Sequence, residues 1–120
     1  MGRGPVLIVD DEPAMVDLVS ELLEQEGYRV LSATDGMQGL GLLVMERPAV
    51  VILDLDMPVI DGVSFAKTVE TYGLSPKIIL MTGYPEVPQW ARLVGATAYL
   101  QKPFQVSELL QVIGEVYGEA

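Results

Sequence analysis

Asp10 and Asp11 follow the apolar run VLIV (6–9), and Asp54 follows AVVIL (49–53). Thr82 and Gly83 follow KIILM (77–81), and Lys102-Pro103 come just beyond ATAYL (96–100). Three carboxylates drawn into one cleft repel strongly, so they must take up protons or hold a cation. Hard oxygen donors without histidine or cysteine select Mg²⁺ or a similar ion such as Mn²⁺, which keeps several waters and commonly bridges to phosphate. The Lys102 ammonium and the Thr82 hydroxyl would supply a charge and a donor for an anion beside that ion. Such a set suits a phosphoryl group in transit, because positioning and charge neutralisation supply most of the catalysis in that reaction.

Taken singly, each residue has an ordinary reading. Asp11 suits a turn or a helix cap, Thr82 a turn, and Lys102 a solvated surface. Asp56 reads as a loop acid, Asp61-Gly62 as a turn and cap before a helix, and Tyr84 and Trp90 as partial core or surface aromatics. What defeats these readings is the combination, a polar residue at four of five strand ends.

The elements that must hold this set are five apolar runs: 6–9, YRVLSA (28–33), 49–53, 77–81 and 96–100. The third and fourth are continuous, as expected for parallel strands covered on both faces. Between the first two runs, Met15, Leu18, Val19, Leu22 and Leu23 form one apolar helical stripe, with Asp11 as cap, Pro13 in the first turn and Gly27 at the stop. A second helix over 36–46 carries Gly39 and Gly41, each costing about 1 kcal/mol relative to alanine. Phe65 and Val69 mark a third helix, and a short fourth follows Pro88. Leu109, Leu110, Ile113, Val116 and Tyr117 stripe the fifth. Strand and helix alternating in this way predict a doubly wound α/β domain with a parallel sheet and right-handed crossovers. With strand order 2-1-3-4-5, the first and third strands adjoin where the order reverses. Sites form beyond the carboxyl ends of the strands at that point.

Composition narrows the function. The formal charge is −10, from 17 acids and 7 bases, which opposes direct binding to nucleic acid or to anionic membrane. Histidine and cysteine are both absent. A serine-histidine triad, a His-ligated metal, a phosphohistidine on this chain and a disulfide framework are thereby excluded. No run reaches the length of a membrane span, and MGRGP at the start lacks the features of a signal peptide. A cytoplasmic location is expected. At 120 residues the chain suits one domain with a single sizeable core.

VLIVDDEP, DLDMPVIDG, MTG and YLQKPF, in this order and spacing, resemble the receiver domain of two-component response regulators. The resemblance spans about residues 5–118, and a single receiver domain over 1–120 is expected, with no output domain in this chain. It implies the flavodoxin-like (βα)5 sandwich, with Asp54 accepting a phosphoryl group from a histidine kinase or histidine phosphotransfer protein. Asp10, Asp11 and Asp54 would bind Mg²⁺, with Asp11 the more direct ligand of the first two and the Asp56 backbone carbonyl a further one. Lys102 would pair with the phosphoryl oxygens, and its bond to Pro103 is expected to be cis. Thr82 would move to the phosphoryl group and Tyr99 would turn inward, biasing the face made by the fourth helix, fifth strand and fifth helix. Recognition of the kinase would fall on Ala14, Met15, Leu18 and Phe104, and the signal would pass to a separate or covalently linked output domain. The short lead before the first strand reads as a natural beginning. A phosphorylation-dependent dimer is one option for the oligomeric state.

Some features depart from the family pattern. Thr82 and Tyr99 are 17 positions apart, about two fewer than is usual in the family, and Pro85 and Pro88 shorten or displace the fourth helix. Gly83 keeps the expected small residue beside the site. Asp56 and Tyr84 would flank the phosphoryl group and set its lifetime. Two rival readings follow from the same residues. LDLD with ILMTG mimics the first motifs of haloacid-dehalogenase-like phosphatases, which would make the chain a Mg²⁺-dependent phosphohydrolase with an aspartate nucleophile. The other rival is a pseudo-receiver that binds partners without being phosphorylated.

Overall fold

The computed structural model describes residues 4–118, so the ends of the expected 1–120 domain, including Met1, Gly2 and Arg3 of MGRGP, lie outside the described residues. Five strands alternate with five helices: β1 (Val6–Val9), α1 (Pro13–Gln25), β2 (Val30–Ala33), α2 (Gly36–Glu46), β3 (Val50–Asp54), α3 (Gly62–Thr71), β4 (Lys77–Thr82), α4 (Val87–Val94), β5 (Ala98–Gln101) and α5 (Val106–Val116). All neighbouring strands pair in parallel, in the order β2-β1-β3-β4-β5. This is the doubly wound sandwich expected from the alternation.

Period-two alternation divides the sheet into two buried layers. Leu7, Val9, Val51, Leu53, Ile78 and Leu80 face α2, α3 and α4, packing with Leu43, Phe65 and Ala91. Val6, Ile8, Val50, Ile52, Ile79 and Met81 face α1 and α5, packing with Val19, Leu23, Leu109 and Ile113. Burying each large aliphatic or aromatic side chain stabilises the fold by about 1.5–3 kcal/mol before entropy is counted.

Local expectations fared unevenly. Residues 28 and 29 do not join β2, because the Tyr28 amide donates to Leu23 O and completes the end of α1. β5 begins at Ala98, since the Thr97 amide donates to Ile78 O as the chain enters the sheet. Asp11 does not cap α1. The N-cap is Glu12, without a side-chain cap, and its amide donates instead to Asp10 Oδ1 at 2.9 Å. Pro13 does open α1, and Gly27 follows it at φ 90°. The buried row of α1 is Val16, Val19 and Leu23, whereas Leu18 is 49% exposed on the helix flank. Asp35 and Asp61 cap α2 and α3 by accepting from the Gln38 and Ser64 amides, both at 2.8 Å.

Gly39, costly on propensity alone, has a packing reason. A β-carbon there would lie 2.9 Å from Val9 Cγ2 and 3.0 Å from Phe65 Cε2, so glycine lets α2 press onto the sheet. α4 is short, as the prolines suggest, spanning 8 residues, but it starts at Val87 after a left-handed Glu86 and takes Pro88 into its first turn instead of following it, because a proline there has no amide that the helix needs. Among the described residues, no helix is long and apolar enough to cross a membrane.

Candidate functional site

The alternation that builds the core also aims the polar residues. Val6-Ile8-Asp10 and Val50-Ile52-Asp54 run along the layer under α1 and α5, and Leu100-Lys102 continues the same side from β5. Ile78-Leu80-Thr82 runs along the opposite layer. The ladder extends one residue past β1 and β5, because the Asp10 amide donates to Ala33 O at 3.2 Å and the Lys102 amide to Thr82 O at 2.8 Å. Asp10 and Lys102 are therefore held almost as firmly as strand residues.

Lys102 Nζ lies 2.9 Å from Asp10 Oδ2, 3.5 Å from Asp54 Oδ1 and 3.9 Å from Glu12 Oε1. Asp10 is fully buried, Asp54 is 4% exposed and Asp11 is exposed at the rim. One oxygen from each of Asp10, Asp11 and Asp54 lies within 4.8 Å of the others. Asp11, Glu12, Asp54 and Lys102 line a cleft of about 450 Å³ whose walls also include Asp56, Thr82, Gly83 and Tyr84.

The electrostatics follow from burial. Burial, then the neighbouring Asp10 charge, raises the Asp54 pKa to about 6, although Lys102 and the Asp56 amide oppose the shift. Burial also works to lower the Lys102 pKa. The hydrogen bond to Asp10 and the charges of Asp54, Asp10 and Glu12 outweigh it, and the ammonium is held above its usual range. Lys102 thus partly neutralises an acid cluster that still has uncompensated negative charge. Clustered carboxylate oxygens, a raised acid and an open cleft fit a hard divalent cation by charge and donor type. Asp10, Asp11 and Asp54 are the side chains placed to hold it.

Thr82 is buried, and its Oγ1 accepts from the Tyr84 amide at 3.1 Å. Tyr99 pairs in register with Leu80, two residues before Thr82, and is 45% exposed. The Lys102–Pro103 peptide bond is cis. The negative charge of Asp56 holds the Tyr84 hydroxyl above its usual pKa, and the Tyr84 ring lies 5.9 Å from that of Trp90, centre to centre. A β-carbon on Gly83 would meet only Lys102 Cβ at 4.0 Å, so space alone does not demand glycine there. Ala14 and Leu18 are exposed, while Met15 and Phe104 are partly buried against the α1–α5 layer.

Two contributors were not anticipated from the residues. Glu12 enters the Lys102 network, and its place in DDEP beside two acids was the available signal. Gly62 packs on the end of β3 so closely that a β-carbon would lie 2.6 Å from Asp54 O. By its sequence, Asp61-Gly62 points only to a turn and cap.

The chain matches the family model described as response regulator receiver domain over residues 6–114. It is 33% identical to sporulation initiation phosphotransferase F of Bacillus subtilis, covering 94% of this chain and 93% of that protein. It is 35% identical to the transcriptional regulatory protein PdtaR of Mycobacterium tuberculosis, where it covers 90% of this chain but only 54% of the relative. Among solved structures it is similar to the chemotaxis protein CheY4 of Vibrio cholerae, at 35% identity, TM-score 0.87 and coverage of 96% and 99% of the two chains.

Proposed function

This chain belongs to the response regulator receiver domain family of two-component systems, and from that premise we propose that Asp54 is its phosphoacceptor. The observation that carries the proposal is the placement of the Asp54 carboxylate. It is buried at the end of the central strand β3, with Lys102 Nζ 3.5 Å away and oxygens of Asp10 and Asp11 within 4.8 Å. A group on a packed strand is held in reacting geometry better than one on a loop.

The donor is a phosphohistidine of a histidine kinase or histidine phosphotransfer protein. An oxygen of ionised Asp54 attacks phosphorus, the P–N bond breaks, and the donor imidazole regains a proton from solvent. With its pKa near 6, Asp54 is mostly ionised at neutral pH and ready to attack. Lys102 exchanges its contact with Asp10 for the phosphoryl oxygens. Asp10, Asp11, Asp54 and the Asp56 backbone carbonyl would hold Mg²⁺ (or Mn²⁺), which when bound supplies charge neutralisation for those oxygens.

The phosphoryl group adds negative charge and strong acceptor oxygens. Thr82 Oγ1 then leaves the Tyr84 amide to donate to them, and Tyr99 turns from its exposed position into the space released. The equilibrium of the α4–β5–α5 face shifts with it. Residues 1–120 act as one receiver unit in the cytoplasm, signalling to a separate or covalently linked output domain. No turnover of an external substrate is expected, which p-nitrophenyl phosphate assays would check against the phosphohydrolase reading.

The test is intact mass after incubation with acetyl phosphate, and separately with a phosphohistidine-loaded phosphotransfer protein, with and without Mg²⁺. A Mg²⁺-dependent gain of one phosphoryl group, lost in Asp54→Asn, is expected. No gain from either donor would leave the pseudo-receiver reading in its place.

A further inference from the structure

We propose that Gln101 is a positioning residue for Thr82, clasping the Tyr84 backbone from β5 and so holding the Thr82 side chain in its resting direction. This rests on the reading of Asp54 as acceptor and Thr82 as responder, and adds a residue that sets how readily the response occurs. Gln101 and Thr82 are register partners on adjacent parallel strands, so their side chains leave the same face of the sheet side by side. Both then turn to one residue of the loop beyond β4. Thr82 Oγ1 accepts from the Tyr84 amide at 3.1 Å, and Gln101 Nε2 donates to Tyr84 O at 3.3 Å. Tyr84 is thus gripped at its N–H from β4 and at its carbonyl from β5.

The two grips differ in kind. Thr82 and Tyr84 are two positions apart, and a hydroxyl that bonds an amide so near along the chain forms a weak local turn. Gln101 is 17 positions from Tyr84 and ties the loop to a paired strand. Residues 83–86 are exposed and α4 lacks a side-chain cap, so burial does little to fix this loop. While Gln101 holds Tyr84 in place, the Tyr84 amide stays within reach of Thr82 Oγ1 and keeps that side chain turned to the loop. Without Gln101 the loop drifts from Thr82, and the threonine is released before any phosphoryl group arrives. Gln101 therefore stabilises the resting arrangement and raises the cost of drawing Thr82 into the cleft. Tyr99 leaves the same face of β5 two residues earlier, so the aromatic that turns inward and the amide that resists are neighbours on one strand.

The first measurement is exchange of the Tyr84 amide with water, by NMR on the full chain without a phosphoryl donor. Gln101→Leu removes the donor at an exposed strand position, so the fold persists. Exchange is expected to quicken by about twofold to tenfold, the worth of one such hydrogen bond. Gln101→Glu, of the same shape but an acceptor only, is expected to do the same, and Gln101→Arg, which restores a donor, to bring the rate back toward wild type. The second measurement is the Thr82 methyl resonance. In unphosphorylated Gln101→Leu it is expected to move toward its position in phosphorylated wild type, a directed shift that loss of a merely structural bond would not produce. A wild type that takes no phosphoryl group from acetyl phosphate or a phosphohistidine donor, by intact mass, removes the switch and this proposal with it. A wild type that is phosphorylated, beside a Gln101→Leu with unchanged exchange or an unmoved Thr82 methyl, overturns the clasp alone.

Discussion

The chain leaves β3 and β4 on neighbouring sides of one cleft, and it treats the two exits differently. After Asp54, Leu55 and Met57 are buried on either side of exposed Asp56. The Gly62 amide then donates to Leu55 O at 2.9 Å, and Asp61 caps α3. After Thr82, residues 83–86 are all exposed, and α4 starts without a side-chain cap. Each exit contains one non-glycine residue at positive φ, Val59 in the first and Glu86 in the second, so backbone strain does not distinguish them. Anchoring does. The proposed acceptor Asp54 stands beside an exit held by buried side chains, and Thr82, proposed to respond to it, stands beside an exit whose residues are all exposed.

The largest effect expected from this contrast is at Gly62. Gly62→Ala would drive a β-carbon to 2.6 Å from Asp54 O and 2.8 Å from Leu55 Cα, both backbone atoms that cannot move aside cheaply. A loss of about 1–3 kcal/mol in urea unfolding is expected, with slower phosphorylation. An unchanged midpoint would show that the first exit is less fixed than its packing implies.

Next comes Asp54→Asn without divalent ions. Folded Asp54 keeps its proton up to about pH 6, while the unfolded group loses it near 3.8. Between those values the folded state binds more protons, so wild-type stability falls as pH rises through the window. Above it, the variant should be more stable by on the order of 2 kcal/mol, and below it the gain should vanish. Unfolding curves across that range check both the sign and the window.

A smaller effect concerns the side chains that reach across the cleft from each exit, Asp56 and Tyr84. Replacing both, as Asp56→Asn with Tyr84→Ala, should change the dephosphorylation rate by up to about tenfold, or about 1.4 kcal/mol in barrier. Decay of the phosphorylated species by intact mass measures it, and an unaltered rate removes the pair from control of lifetime. The smallest effect is Gly83→Ala. Its β-carbon would meet only Lys102 Cβ at 4.0 Å, and stability should stay within about 0.5 kcal/mol. A large loss there would erase the contrast with Gly62.

Much of this was legible in order and type. Runs such as VLIV and KIILM must lie in a covered sheet, and their polar endings must gather at its carboxyl edge. Capping by Asp61 was readable because its partner, the Ser64 amide, is three residues away. The assignment of Asp11 as cap failed for a non-local reason. Asp10, drawn in by Lys102, orients its other oxygen to the Glu12 amide, and α1 starts one residue later. Leu18 fitted the helical stripe, but which flank of α1 meets the sheet depends on how the helix sits over β1 and β2, which periodicity does not encode.

By itself, then, the sequence determined the alternating architecture, the kind of chemistry and the residues available for it, because hydrophobic period and side-chain type are local properties. Tertiary structure alone decided that Asp10 and Lys102, 92 positions apart, meet at 2.9 Å, and that Gly62 bears on the Asp54 backbone. It also decided that Gly39 is pressed into the core while Gly41, two residues on, faces open space. Strand adjacency, register and the seating of each helix are set by packing the whole chain at once. A residue's neighbours across the sheet cannot be read from its neighbours along the chain.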